Sequence, residues 1–464
     1  MSYDPETGIH RSAFPPIPDH LFPNVTVDEL LFNHTSPNPE SIWLVDALTG
    51  KTFTKADALD RTGRIARAFR EGWDLSQDDC VVVFSGNEIH YPLVLWATFK
   101  CGAIASSANP NYGTDELRFQ ISLVNEHHSV KVIVTHPDSL VTAIAACRLS
   151  NLLESAIVLM FSPSASSSDA LKMLATGFKT LDDLAGSFEG RPVPVAAKLE
   201  PGGARRKLAF LSFSSGTTGL PKAVAITHGN VVANIIQSHE FWKRTRPFAP
   251  FDANTQEGDK VLGCLPFYHI YGLVVVLHSS LYMGVPVVTL NKMVILMVKN
   301  ALVDDYDLST LRFGMAGAAP LTEEVTLMVL TNPLVTDTFG ADEYRAQAKV
   351  SKACVWPRLA KVVSPDGKTL GIGEVGELHS RSPANAIGYL GNEKATKETF
   401  SEDGLIKCKG MQVAPAELEG LLLDHPDVQD VCVIGIPDDR AGERPKGAAS
   451  LREGSDTAAS TDHF

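Results

Sequence analysis

The sequence predicts an α/β fold whose mostly parallel sheets are layered between helices. Three observations carry this. Short apolar runs alternate with helix-length segments, the pattern of parallel strands covered by helices on both faces. The 464 residues exceed what one hydrophobic core holds, so more than one domain is expected. The composition, 44% apolar and 20% charged, is that of an ordered globular chain rather than a disordered one.

The elements follow in order. Cys80-Val-Val-Val-Phe84 reads as a strand and is followed by Ser85-Gly-Asn87. Pro92 to Lys100 reads as a buried helix. Ala103-Ile-Ala105, Val130 to Thr135 and Ala156 to Met160 read as further strands. Ser162 to Ser168 is a surface loop by composition, and Arg191 to Arg206 is a linker with three prolines and a Gly-Gly. Ile270 to Leu290 is the most apolar long stretch. It contains His278, Ser279, Ser280, Gly284 and Pro286, so it reads as a buried helix followed by a strand rather than a membrane span. No internal repeat is visible, and Arg452 to Phe464 is a small, polar tail.

Charge and cysteine content exclude several roles. Net charge is −13, which disfavours nucleic acid as a general partner. The seven cysteines (Cys80, Cys101, Cys147, Cys264, Cys354, Cys408 and Cys432) are widely spaced and form no Cys-x-x-Cys. A disulfide framework or zinc site is not expected, and a reducing compartment is favoured. Met1-Ser-Tyr-Asp-Pro5 shows no signal-peptide pattern, and Thr-Asp-His-Phe464 is not a peroxisomal tripeptide, so the expectation is a cytoplasmic protein without a membrane span.

The most informative stretch is Ser214-Ser215-Gly216-Thr217-Thr218-Gly219-Leu220-Pro221-Lys222. Hydroxyls and exposed backbone N–H groups offer many donors, and glycine lets the backbone approach a ligand closely. Lys222 adds a point charge. The apolar runs on either side, Leu208 to Phe213 and Ala223 to His228, read as strands, so the stretch is a hairpin-like tip. The Walker spacing, Gly-x-x-x-x-Gly-Lys-[Ser/Thr], is absent. A Ser/Thr/Gly-rich turn alone is usually only a turn. The joint order of hydroxyls, glycines, proline and lysine points to a polyphosphate cradle.

Further motifs follow in order: Leu265-Pro-Phe-Tyr-His-Ile-Tyr-Gly272, Leu311 to Leu321, Gly373-Glu-Val-Gly-Glu-Leu-His379, Gly388-Tyr-Leu-Gly-Asn392 and Leu405 to Glu419. With Leu44 to Lys51 and Ala108-Asn-Pro-Asn-Tyr112, this series resembles the adenylate-forming acyl-CoA synthetases, most closely the 4-coumarate–CoA ligase-like branch, from about residue 20 to about residue 450. The resemblance implies a large N-terminal adenylation domain, residues 1–404, and a small C-terminal α+β domain, residues 405–464. It implies ATP-dependent activation of an aromatic or fatty carboxylic acid, then transfer to coenzyme A, with Mg²⁺ as cofactor. Ser214, Ser215, Gly216, Thr217, Thr218, Gly219, Pro221 and Lys222 would hold the phosphates. Gly317, Ala318, Ala319 and Pro320 would lie against adenine and the acyl chain. His269, Tyr271 and Gly317 would line the acyl pocket, with His269 near the carboxylate. Lys407 and Gln412 would serve adenylation, and Lys409 and Gly410 thioester formation.

Blander readings stand beside these. Taken alone, His269 in an apolar run reads as a satisfied core histidine and Tyr271 as a packed tyrosine. Gly317 to Pro320 also suits a tight strand exit, and a Lys pair is usually solvated. Glu374 and Glu377 read as strand-edge residues without a catalytic role, and Ala414 to Glu419 as a helix start that serves as scaffold.

The chain also departs from the family pattern. Lys292 joins directly to what reads as a later helix, without the intervening helix and proline-ended strand. Thr338-Phe-Gly-Ala-Asp-Glu-Tyr344 stands where the family has Tyr-Gly-Met-Thr-Glu. Gly404 runs into Leu405 without the Thr-Gly-Asp and Asp-Arg hinge, and no terminal Ser-Gly-Lys block follows Pro445. The matches on either side are good, as segment omission leaves them. The C-terminal domain is therefore expected to be truncated and the catalysis impaired. Two alternatives stay open: a catalytically dead member that binds nucleotide or acyl ligand, and a mis-spliced chain without stable function.

Overall fold

The computed structural model describes residues 2–11, 17–34, 38–164, 167–191, 198–214, 221–245, 258–290, 359–374, 376–400, 406–408, 428–438 and 442–451. In chain order the strands are β1 (Ser2–Asp4), β2 (Ile9–Arg11), β3 (Ile42–Asp46), β4 (Thr52–Thr54), β5 (Cys80–Phe84), β6 (Ile104–Ala108), β7 (Val130–Thr135), β8 (Ile157–Leu159), β9 (Leu208–Ser214), β10 (Lys222–Thr227), β11 (Val261–Gly263), β12 (Val287–Thr289), β13 (Leu359–Val363), β14 (Thr369–Leu370), β15 (Glu377–Arg381), β16 (Gly388–Tyr389), β17 (Ile406–Cys408), β18 (Val428–Asp438) and β19 (Gly442–Leu451).

Among the described residues the central sheet has seven strands in the order β16-β10-β9-β6-β5-β7-β8. From β9 to β8 the neighbours are parallel, as the fully apolar runs predict. All five residues of β5 are buried. The helix Tyr91–Lys100 has every residue from Tyr91 to Phe99 buried, and Trp96 and Phe99 are completely enclosed. A second sheet, β11-β12-β3-β4, is parallel except for the β3–β4 hairpin. At the end of that hairpin Thr54 and Asp57 form a reciprocal capping box on the helix Lys55–Trp73.

The third sheet differs from the parallel expectation. Its strands β1-β2-β13-β15-β17, with β14 on β13, are antiparallel throughout. Tight turns explain part of this. Ser364 and Lys368 close one such turn through backbone and hydroxyl hydrogen bonds, and a connection this short joins only antiparallel neighbours. β17, which carries Lys407, is the edge strand of this sheet and pairs with β15. β18 and β19 form a separate antiparallel hairpin.

The stretch expected to be a buried helix and a strand is three pieces: a π-helical segment Tyr271–His278, a short α-helix Ser279–Tyr282 and β12. No described helix is long and apolar enough to cross a membrane.

Candidate active site

The site is organised by one edge of the central sheet. β9 and β10 form an antiparallel pair in which Ser214 lies opposite Lys222, so the two residues bracket segment 215–220 as the sequence predicts. The Ser214 hydroxyl donates to the Lys222 carbonyl at 3.4 Å. Residues Ser215 to Gly219 lie outside the described residues; Pro221 and Lys222 lie within them. β9 runs parallel to β6 and β6 to β5, and the register places Phe84 beside Ala108, with Phe213 near the same level. Segment 215–220 therefore leaves the carboxyl edge of the parallel strands, where open α/β sheets bind ligands.

The turn after β5 leaves from the same edge. At a strand spacing near 4.8 Å, two steps across the sheet separate it from β9 by about 10 Å. Here Asn87 does work that sequence reasoning missed. Its side-chain amide donates to the carbonyls of Gly263 (2.7 Å) and Leu265 (2.8 Å), and its oxygen accepts from the Phe267 N–H (2.7 Å). Asn87 thus ties the loop 264–270 to the carboxyl edge. The signal was a Gly-Asn pair directly after a parallel strand. Phe267, completely buried, anchors the loop against the Tyr91 ring at 5.9 Å. Gly272 is required at the exit, because a Cβ there would overlap the carbonyls of Pro266 and Leu265.

This loop carries His269. The core-histidine reading fails: His269 is exposed, whereas His278, nine residues on, is fully buried. Protein beside the His269 ring partly desolvates it and draws its pKa below the ordinary histidine value. The imidazole is neutral near pH 7. Its Nδ1 accepts from the Tyr271 N–H at 3.4 Å, so the proton sits on Nε2, which can donate to an incoming oxygen. Tyr271 is half-buried against the core, and burial raises its pKa.

Lys222 has a further neighbour. Its ammonium lies 5.5 Å from the centre of the Tyr389 ring. Sequence reasoning placed Gly388-Tyr389 in a motif but assigned it no role.

The remaining expected residues are not brought together by described structure. Lys407 sits on β17 opposite His379. Gly317, Ala318, Ala319, Pro320, Lys409, Gly410, Gln412 and the helix start at Ala414 lie outside the described residues. Glu374 accepts from the Gly371 N–H within its own turn, and Glu377 bonds His379 at 2.9 Å. A cavity of about 820 Å³ lies at the opposite end of the β9–β10 hairpin, lined by Asn24, Arg205, Asn230, Arg381 and Phe400 among others. No residue of β9 or β10 lines it.

A family model described as AMP-binding enzyme matches residues 31–304, more than half of the chain. This chain belongs to the AMP-binding enzyme family. A second model, the AMP-binding enzyme C-terminal domain, matches residues 417–463. Among curated relatives, "Probable 4-coumarate--CoA ligase 1" of Dictyostelium discoideum is 29% identical over 511 aligned positions, covering 94% of this chain and 88% of that one. "4-coumarate--CoA ligase-like 1" of Arabidopsis thaliana is 28% identical, covering 94% and 86%. Of solved structures, a long-chain-fatty-acid-CoA ligase from Archaeoglobus fulgidus aligns with TM-score 0.67 at 18% identity, covering 96% of this chain and 93% of that one. ATP-bound MatB from Rhodopseudomonas palustris aligns at 0.62 and 19%, covering 94% and 90%. At these identities the two structures speak to fold. They agree with the layered α/β architecture.

Proposed function

We propose that this chain is an ATP-dependent acid–CoA ligase acting on an aromatic or fatty carboxylic acid. The observation that carries the reading is the β9–β10 hairpin, with Ser214 and Lys222 bracketing the hydroxyl-rich segment at the carboxyl edge of the sheet. Family membership and the ligase names of the relatives support it.

The residues take these roles. Ser214 to Gly219, Pro221 and Lys222 bind the β- and γ-phosphates. A lysine about 4 Å from a phosphate charge contributes roughly 4 kcal/mol at an effective dielectric near 20, which favours pyrophosphate as a leaving group. His269 donates Nε2–H to the acid's carboxylate and holds it for attack on the α-phosphate. Because the ring is neutral, it orients the carboxylate without forming an ion pair that would weaken the nucleophile. Tyr271 and Gly317 wall the acyl pocket, and Ala318, Ala319 and Pro320 lie against adenine. Lys407 and Gln412 serve adenylation. Lys409 and Gly410 serve the coenzyme A step, in which the thiol displaces AMP. Mg²⁺ would accompany the nucleotide phosphates; among the described residues no three His, Cys, Asp or Glu side chains are grouped to hold a metal ion. Cys80, Cys101 and Cys147 are buried free thiols, which accords with the cytoplasmic reading.

A second reading, a member that binds nucleotide without completing catalysis, has its own support. The first relative aligns over 511 positions, more than the 464 residues of this chain, so it carries residues within the matched span that this chain lacks. That length difference accords with segments omitted near residues 292 and 338.

Acid-dependent pyrophosphate release, measured with ATP, Mg²⁺ and a panel of aromatic and fatty acids, separates the readings. Release with at least one acid, followed by thioester formation on adding coenzyme A, is the expected result. No release with any acid overturns the ligase reading. Saturable ATP binding without release establishes the second. A non-cooperative thermal melt would point instead to a mis-spliced chain without stable function.

A further inference from the structure

We propose that Tyr389 is a positioning residue for Lys222, its ring face seating the ammonium at the foot of the phosphate segment before nucleotide arrives. This rests on the nucleotide reading of that segment.

The sheet geometry makes the pair. β16 is antiparallel to β10, with Val224 opposite Tyr389 and Ala225 opposite Gly388. Lys222 lies two residues before Val224 and projects from the same face. Tyr389 and Lys222 are thus diagonal cross-strand neighbours, close enough for long side chains to meet. The observed 5.5 Å from Nζ to the ring centre is within cation–π range. The next strand position continues the ladder, with the Leu390 N–H donating to the Ala223 carbonyl at 2.8 Å. Gly391 follows with φ +63°, where a Cβ would overlap the His127 ring.

Tyr389 is itself firmly held. Its N–H donates to the Thr396 hydroxyl at 2.9 Å, and that hydroxyl also lies within bonding distance of the Asn392 carbonyl at 2.8 Å. Asn392 caps the helix Glu393–Thr399 through the Ala395 N–H. Gly388, at φ +151°, brings the strand against Thr396 where a Cβ would overlap it. The ring packs edge-on to Phe400 at 5.9 Å. Hydrogen bonding thus fixes the Tyr389 backbone, and Phe400 flanks its ring. The ring restricts a flexible four-carbon lysine stem, and a restricted cation loses less freedom when a polyphosphate binds.

Two readouts test this. The first is reductive ¹³C-methylation of the whole chain, with the Lys222 signal assigned by its loss in Lys222→Arg. The Lys222 methyl resonance should be shifted upfield by the Tyr389 ring, keep the shift in Tyr389→Phe and lose it in Tyr389→Leu. The second is ATP affinity by titration calorimetry. Tyr389→Leu should weaken it about three- to fivefold, the ratio an exposed cation–π pair supports, and Tyr389→Phe should restore it. In a Lys222→Met background, Tyr389→Leu should cost nothing further. An unshifted Lys222 signal overturns the pairing whatever ATP does. Equal losses from Tyr389→Leu with and without Lys222 show a merely structural tyrosine and overturn the positioning role. A shifted signal in a wild-type chain that binds no ATP overturns the nucleotide reading, and the phosphate role of the pair with it, while the pairing stands.

Discussion

The β9–β10 hairpin has two ends built on different principles. At the carboxyl edge, Ser214 and Lys222 frame a segment that the sequence fills with small hydroxyl residues and glycines. At the base, side chains do the holding. His228 is completely buried and accepts from the Val27 N–H through Nδ1 at 3.1 Å, tying the start of helix Val27–His34 to the end of β10. Asn230 accepts from the Thr227 N–H and donates to the carbonyls of Pro383 (3.0 Å) and Asn385 (2.6 Å), tying β10 to the stretch that leads into β16. The buried side-chain contacts described for the hairpin thus lie at its base.

This division makes opposite forecasts for the two ends. The largest effect belongs to the carboxyl edge. Lys222→Ala should lower acid-dependent pyrophosphate release by on the order of 10²–10³ while the thermal midpoint stays put; steady-state kinetics beside calorimetry checks both halves. Next comes the base. Asn230→Ala removes one acceptor and two donors from a site that is almost fully buried, and should cost about 2–3 kcal/mol in urea unfolding, with ATP affinity of the folded protein unchanged. A fall in ATP affinity at unchanged stability would dissolve the distinction.

A smaller and more diagnostic effect is the pH response. Burial lowers the His228 pKa to about 3 and the His278 pKa to about 4. An unfolded histidine titrates near 6.5, so between that value and the folded values the unfolded chain binds more protons. The stability these residues contribute is present above about pH 6.5 and is lost as pH falls toward the folded values. Each histidine should cost about 1 kcal/mol between pH 6.5 and 5.5, read as a falling urea midpoint. His278→Leu should flatten part of that slope. The smallest effect lies far from both ends: Thr54→Ala, which removes the capping box on helix Lys55–Trp73, should cost about 1 kcal/mol and leave ATP binding untouched.

Much of the fold was legible because its signals are local. The Val-rich runs became β5 and β7, and the runs flanking Ser214 to Lys222 became an antiparallel pair as expected. The antiparallel third sheet was not legible. Its strands come from residues 2–11, 359–381 and 406–408, and no local pattern announces a pairing across some 350 residues. His269 shows the same divide. Its apolar neighbours suggested a buried ring, but exposure is decided by which side of the loop faces protein, and that is set by Asn87 from 176 to 180 residues away.

What the sequence determined by itself was the family and the α/β class, because each is written in contiguous residues whose order is specific. The tertiary structure alone decided the rest. It set the exposure and tautomer of His269, the restraint of its loop by Asn87 and the seat of Lys222 on Tyr389. Each depends on strands and loops remote in sequence meeting at the carboxyl edge of one sheet, and that meeting is governed by register and burial summed over the whole core.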